Sequence, residues 1–223
     1  MSMLDYENIV SEKRKENLFQ LQLTLIKAET FEEIEDESLK QKITSHCEVY
    51  GLDLEDFFQE LRTNEYLQSF FAKNPLKQGL HEQIAIKYLS EELPTFKQVR
   101  KLSQKNNCGL FLNSTGLSKS RSISKAIDFY LESDNNIYVF THKYTKQSGG
   151  AQNNQYEDVL NFLRYAPNSP FKDQLTNKTV HIGAILDGDF YTDKIEETQN
   201  KFPTYLIGNI NQVLDKIKEI EAI

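Results

Sequence analysis

Tryptophan is absent from the chain, and cysteine occurs only twice, at Cys47 and Cys108. The two thiols lie far apart with no further ligand at zinc-type spacing, so neither a disulfide framework nor a zinc site is indicated. Reduced, structural thiols in a cytoplasmic protein are the expectation. Long apolar runs are also lacking. None approaches the ~18 residues that a membrane span requires. The first residues, MSMLDYENIVSEKRKEN, lack the apolar stretch of a signal peptide. Internal repeats and low-complexity linkers are missing too. What remains is an apolar fraction of 39%, low for a globular protein but above the disordered range. With 14 Phe and 11 Tyr there is enough bulk for a core.

A positive balance is lacking overall, since the net charge is −7. The charge is unevenly spread, however. Residues 1–96 carry a net −9 and residues 147–223 a net −4, whereas residues 97–146 hold nine Lys/Arg against three Asp/Glu. Local charge, not the total, governs attraction to phosphates at contact distance. A basic block of this size is also compatible with a solvated face.

Residues 5–72 read as helices, with Leu18, Leu21, Leu23, Leu25 and Ile26 as apolar positions. The acidic run 29–42 reads as a solvated helix face or loop. His46 and Cys47 read as packing. A helix carrying His81 and Glu82 follows over 79–90 and ends at Pro94. Phe96–Gln104 reads as a basic helix or turn, and residues 109–112 as a short strand. The loop 113–122 carries Lys119 and Arg121, which suit phosphate contacts or plain solvation. Two strands then flank a turn at Ser133–Asn136, with Asp128 on the first and Lys143 at the end of the second. Gly149-Gly150 and an amide-rich run lead into a helix expected to begin near Gln155. Lys178–Leu186 is a continuous apolar run, as in a buried central strand, and Asp187-Gly188-Asp189 reads as a turn. Further on, a helix is expected over 193–201, a strand over 204–208 and a closing helix over 211–222. Alternating strands and helices imply an α/β (α+β) fold: a mixed sheet flanked by helices over 79–223, behind a helical region over 1–78.

The hairpin has a chemical reading. Neighbouring antiparallel strands lie ~4.8 Å apart, so Asp128 and Lys143 can meet at one end of a sheet. A carboxylate there can hold a hard cation such as Mg²⁺. A lysine beside it can orient water or neutralise phosphate charge. The amides of Gln152, Asn153 and Gln155 follow; such groups can read adenine in a major groove or cap a helix.

Ile127-Asp128, the turn and the strand ending Thr141-His142-Lys143 resemble the active-site hairpin of the PD-(D/E)XK nuclease superfamily. The continuation through Tyr144-Thr145, Ser148–Gln152 and Asn154-Gln155-Tyr156 resembles type II restriction endonucleases more specifically. The resemblance covers roughly Gly79 to Ile210. It implies a restriction-endonuclease-like core, Mg²⁺-dependent cleavage of double-stranded DNA at specific sites, and a homodimer on two-fold sites. Asp128 becomes a metal ligand, Lys143 the catalytic lysine, and Glu82 a further acid approaching from the preceding helix.

One departure stands out. The family places Asp or Glu two residues before the lysine, where this chain has Thr141. Some members supply that carboxylate from the following helix, which makes Glu157 a candidate catalytic residue and metal ligand. Loss of activity is the other consequence, leaving a non-catalytic DNA-binding or assembly protein on a degenerate nuclease fold.

Overall fold

The structure is a computed structural model that describes residues 4–75, 79–102, 111–113, 116–118, 125–146 and 150–222. The chain divides into two compact units, Leu4–Leu80 and one built on His81–Ile223. No helix among the described residues is long and apolar enough to cross a membrane.

The first unit holds α1 (Tyr6–Lys27), α2 (Glu37–Tyr50), α3 (Leu54–Thr63) and α4 (Glu65–Phe71). Each begins on a side chain that accepts from the first free amides: Asp5, Asp36, Asp53 and Asn64. Part of the acidic excess of this region is therefore helix capping, which also suits the positive end of the helix dipole. Leu21, Leu25, Ile43, Phe58 and Leu61 form its core. Leu23 and Ile26, counted as apolar helix positions above, are exposed together with Phe19. His46 lies among the rings of Tyr50, Phe57 and Phe71, and Cys47 is buried, so both pack as read.

The second unit starts with α5 (Leu80–Glu92) and β1 (Gln98–Lys101). The segment read as a basic helix or turn is thus an edge strand. Its residues pair with β5 (Phe129–Glu132), Val99 opposite Leu131 and Lys101 opposite Phe129. Pairing to a ready sheet edge outweighs the local propensity of Lys, Gln and Arg. Strands β2 (Phe111–Asn113), β3 (Gly116–Ser118) and β4 (Lys125–Ala126) form a separate small sheet. Then come β6 (Asn136–Tyr144), α6 (Gly150–Tyr165), β7 (Phe171–Lys172), β8 (Thr179–Asp187), α7 (Thr192–Lys201), β9 (Leu206–Gly208) and α8 (Ile210–Glu221).

The main sheet runs β1-β5-β6-β8-β7, with β9 also paired to β8. β1, β5 and β6 are antiparallel, whereas β6, β8 and β9 are parallel. This is the mixed sheet flanked by helices expected from the sequence. The parallel pair β6/β8 is buried on both faces, which explains the unbroken apolar run of β8. Alternation decides what each face meets. Val139, Ile182, Ala184 and Leu186 join Val159, Leu160 and Leu163 of α6 and Ile195 of α7 in one core. Tyr138 and Asp187 instead bond to Glu221 and to the first amide of α8. The Tyr144 ring lies against that of His81 of α5, tilted to it. α6 and α7 thus cover one face, and α5 and α8 the other.

α6 begins at Gly150, not near Gln155. Asn and Gln are tolerable helix residues, and burial of Tyr156, Val159, Leu160 and Leu163 along one stripe carries the helix back through the amide run.

Candidate functional site

Asp128 occupies the bend between β4 and β5. Its backbone amide still bonds to the Phe140 carbonyl, at 2.9 Å, so the ladder with β6 runs on through it. This register brings the Asp128 carboxylate opposite Thr141. Oδ2 accepts from the Thr141 hydroxyl at 3.0 Å and from the His142 amide at 2.9 Å. The Lys143 ammonium stands 3.9 Å from the same oxygen. Both side chains keep access to solvent, Asp128 at 28% and Lys143 at 30%. Two residues fifteen positions apart in sequence therefore share one end of the sheet, as their hairpin requires.

Thr141 does not replace the missing carboxylate. It donates a proton where a second acid would repel, and so fixes the Asp128 carboxylate in place. Among the described residues, Oδ1 of Asp128 receives no hydrogen bond and remains open to a ligand. No three His, Cys, Asp or Glu among those residues gather closely enough to hold a metal ion. Mg²⁺ commonly keeps several waters and takes one or two carboxylates beside substrate phosphates, and this sheet end offers one carboxylate, that of Asp128.

Glu82 projects from α5 and pairs with Lys101 at 3.2 Å. Burial alone would raise its carboxyl; the charge and hydrogen bond of Lys101, helped by nearby His142, hold it below the usual range. Its helix covers the face of His142 and Tyr144, whereas Thr141 and Lys143 point to the other. Glu82 is engaged by Lys101, on the face of the sheet opposite to Thr141 and Lys143.

Glu157 is set apart from both. Gly150 starts the helix, so Glu157 falls two turns in rather than in the first turn. Its side chain is 59% exposed and pairs with Arg164 at 3.6 Å. Gln155 is the helix residue that turns to the strand end: its Oε1 accepts from the Thr145 hydroxyl at 3.2 Å. Glu157 lies about 200° around the helix from it. Asn153 is exposed. Lys119 and Arg121 lie outside the described residues, as does the side chain of Gln152.

A buried polar pair behind the site escaped the sequence reading. His142 Nε2 lies 3.2 Å from Asp187 Oδ2, both side chains nearly inaccessible. Asp187 Oδ1 accepts from the Ile210 amide at the start of α8, at 2.9 Å. The His142 ring also stacks on Phe129. This pair ties the ends of β6 and β8 to a helix start and so stiffens the strand that carries Thr141 and Lys143. A signal existed: Asp187 ends a run of buried apolar residues, where a carboxylate requires a partner. The salt bridge from Lys101 to Glu82 was hidden by reading this segment as a helix or turn.

No protein-family model matches this chain, and no curated protein does. Among solved structures, the crystal structure of protein VC1899 from Vibrio cholerae aligns at 10% identity with a TM-score of 0.30. The alignment covers 94% of this chain and 51% of that protein, so this chain spans about half of its length. A TM-score that low carries neither fold nor function across.

Proposed function

We propose that this chain is a Mg²⁺-dependent endonuclease of the PD-(D/E)XK type, hydrolysing phosphodiester bonds at specific sites in double-stranded DNA as type II restriction endonucleases do. The observation that carries this reading is the meeting of Asp128 and Lys143 at one sheet end, 3.9 Å apart. Its setting adds support. A helix, three antiparallel strands, a helix and a strand parallel to the third come in the order α5, β1, β5, β6, α6 and β8, with the small sheet β2–β4 inserted after β1 and the short β7 before β8.

In this reading Asp128 offers Oδ1 to the cation, while the Thr141 hydroxyl and His142 amide keep the carboxylate from turning. The Lys143 ammonium orients the attacking water and offsets the charge that builds on the phosphate. Bound Mg²⁺ would supply Lewis acidity at a phosphoryl oxygen and a water of lowered pKa. A homodimer on a two-fold site is part of the proposal.

A second reading, a non-catalytic DNA-binding or assembly protein on the same fold, is favoured by Thr141. With a hydroxyl where a second carboxylate stands in the motif, the site holds a cation through few protein ligands. Plasmid DNA incubated with the protein and Mg²⁺ separates the two. Discrete fragments, lost in Lys143→Ala while that variant keeps its thermal unfolding, are expected of the nuclease. Retardation without cutting favours the binder. Neither cutting nor retardation sinks both readings.

A further inference from the structure

Helix α1 is apolar on two opposite sides. Leu21 and Leu25 belong to the core of the first unit. Phe19, Leu23 and Ile26, spaced four and three residues apart, form a stripe on the side turned away from it. Phe19 is 56% exposed and Ile26 71%. Helix α4 repeats the arrangement. Gln68 and Phe71 are buried, whereas Tyr66 and Phe70, one turn apart, are exposed at 71% and 64%. Their rings touch edge to face, with centroids 5.2 Å apart.

The two stripes lie side by side. Gln22 Nε2 donates to Gln68 Oε1 at 3.0 Å, and Asn17 Nδ2 donates to the Lys73 carbonyl at 2.7 Å. Numbers fall along α4 as they rise along α1, so the two helices are antiparallel neighbours. The same register sets Phe70 level with Phe19, and Tyr66 level with Leu23. Five large side chains on two helices thus make one outer face, with the core of the unit behind it. Exposed to this degree, three rings and two aliphatic chains leave on the order of 500 Å² of apolar surface. That is near the upper end for a monomer, and a large part of the ~800 Å² that each partner gives to a standard interface.

Charge indicates what fits this face. Residues 4–80 hold nine Lys/Arg against sixteen Asp/Glu. The excess lies elsewhere in the unit, because α1 and α4 together hold four of each. Beside the stripe, Lys13 pairs with Glu16 and Lys15 with Glu12, each at 2.8 Å. A basic partner would be drawn to the acidic remainder of the unit. A copy of the same neutral face meets no like-charge penalty. We propose that the outer face of α1 and α4 binds a second copy of this chain about a two-fold axis, stacking two helices on two as in a four-helix bundle. The proposed function includes a homodimer, and this inference gives that dimer its surface. It rests on the nuclease reading only for the purpose of the dimer, not for its existence.

Sedimentation equilibrium of the full chain, without DNA or divalent cations, tests this. Wild type is expected to be a dimer at micromolar concentration. Phe19→Glu/Phe70→Glu should raise the dissociation constant at least about tenfold, with helix content by circular dichroism unchanged. Leu175→Glu changes a side chain of the second unit that is 94% exposed, and should dimerise as wild type does. If the double variant loses helix content, Ile26→Glu alone carries the same expectation. A wild type that stays monomeric up to its solubility limit overturns the proposal and leaves the face to a different protein. A dimer equally strong in the double variant overturns it too, since the contact then lies elsewhere, as does a dimer that Leu175→Glu weakens to the same extent. These outcomes leave the nuclease reading to be decided by the cutting of plasmid DNA.

Discussion

At the residue scale, the contact between Thr141 and Asp128 sets what the site can bind. The hydroxyl stands where the motif has a carboxylate, and donates to Asp128 where a second acid would repel it. Thr141→Glu should therefore do two opposite things. Without divalent cations it loses the 3.0 Å hydrogen bond and faces Asp128 with a like charge, which costs up to ~1 kcal/mol for residues directly opposite across strands. With Mg²⁺ it supplies the second carboxylate. Thermal unfolding of both proteins, in a chelator and in excess Mg²⁺, checks this. The variant should melt lower than wild type in the chelator and gain more from Mg²⁺. An equal gain in the two proteins would mean that position 141 does not face the cation. Glu157 gives the converse expectation. Paired with Arg164 on the exposed side of α6, it should be replaceable: Glu157→Gln is expected to leave Mg²⁺-dependent melting and any cutting unchanged. A loss of either would require α6 to turn by about half a revolution, or to start later, when the site closes on DNA.

At the scale of elements, the hairpin of β5 and β6 was legible because its signals were local: Asp128 before one β-prone run, Lys143 after the next, and a turn between them. β8 was legible because burial on both faces leaves no alternation. β1 was not, because Gln98–Lys101 becomes a strand only by pairing with β5, and a single sequence does not display pairing. The start of α6 was missed for a related reason. Gly150 and the amides lack helix signals of their own, and the buried stripe from Tyr156 onward extends the helix back over them. The misplacement mattered, since it was the supposed first turn that aimed Glu157 at the hairpin. At the opposite end of the sheet, β6, β8 and α8 are joined by a second polar cluster. One oxygen of Glu221 accepts from Ser133, Asn136 and Tyr138. His181 lies 3.3 Å from Asn136 and stacks on Tyr138. Burial lowers the His181 pKa, and the charge of Glu221 offsets this only in part. A histidine depressed in the folded state binds fewer protons there than when unfolded. Its contribution is therefore complete above its ordinary value of 6.5 and is lost as pH falls through the folded value. Melting temperature should decline from pH 7 to pH 5, and His181→Gln should flatten that decline. An unchanged slope in the variant would place the sensitive group elsewhere.

For the whole molecule, the question is where a chain of net charge −7 would meet a polyanion. The basic block of residues 97–146 looked like the answer, but its described cations are largely engaged. Lys97 pairs with Asp134 at 2.7 Å and Lys101 with Glu82 at 3.2 Å, and Arg100 lies over the Tyr130 ring. Lys143 differs, because its partner is the carboxylate that the proposed function assigns to a cation. In that reading a cation held by Asp128 would free the ammonium for the phosphate. DNA affinity should then owe its salt dependence to few contacts concentrated at the site, rather than to a spread basic surface. Each phosphate contact contributes about −0.9 to the slope of log K against log salt. Measured on duplex DNA in Ca²⁺, Lys143→Gln should make that slope shallower by about 0.9. Lys97→Gln should leave it unchanged, since Lys97 is already neutralised by Asp134 on a different part of the surface. Equal losses from the two variants would mean that DNA lies along the whole basic block. In that case Lys97 gives up Asp134 on binding, and the sheet end loses its claim as the centre of contact.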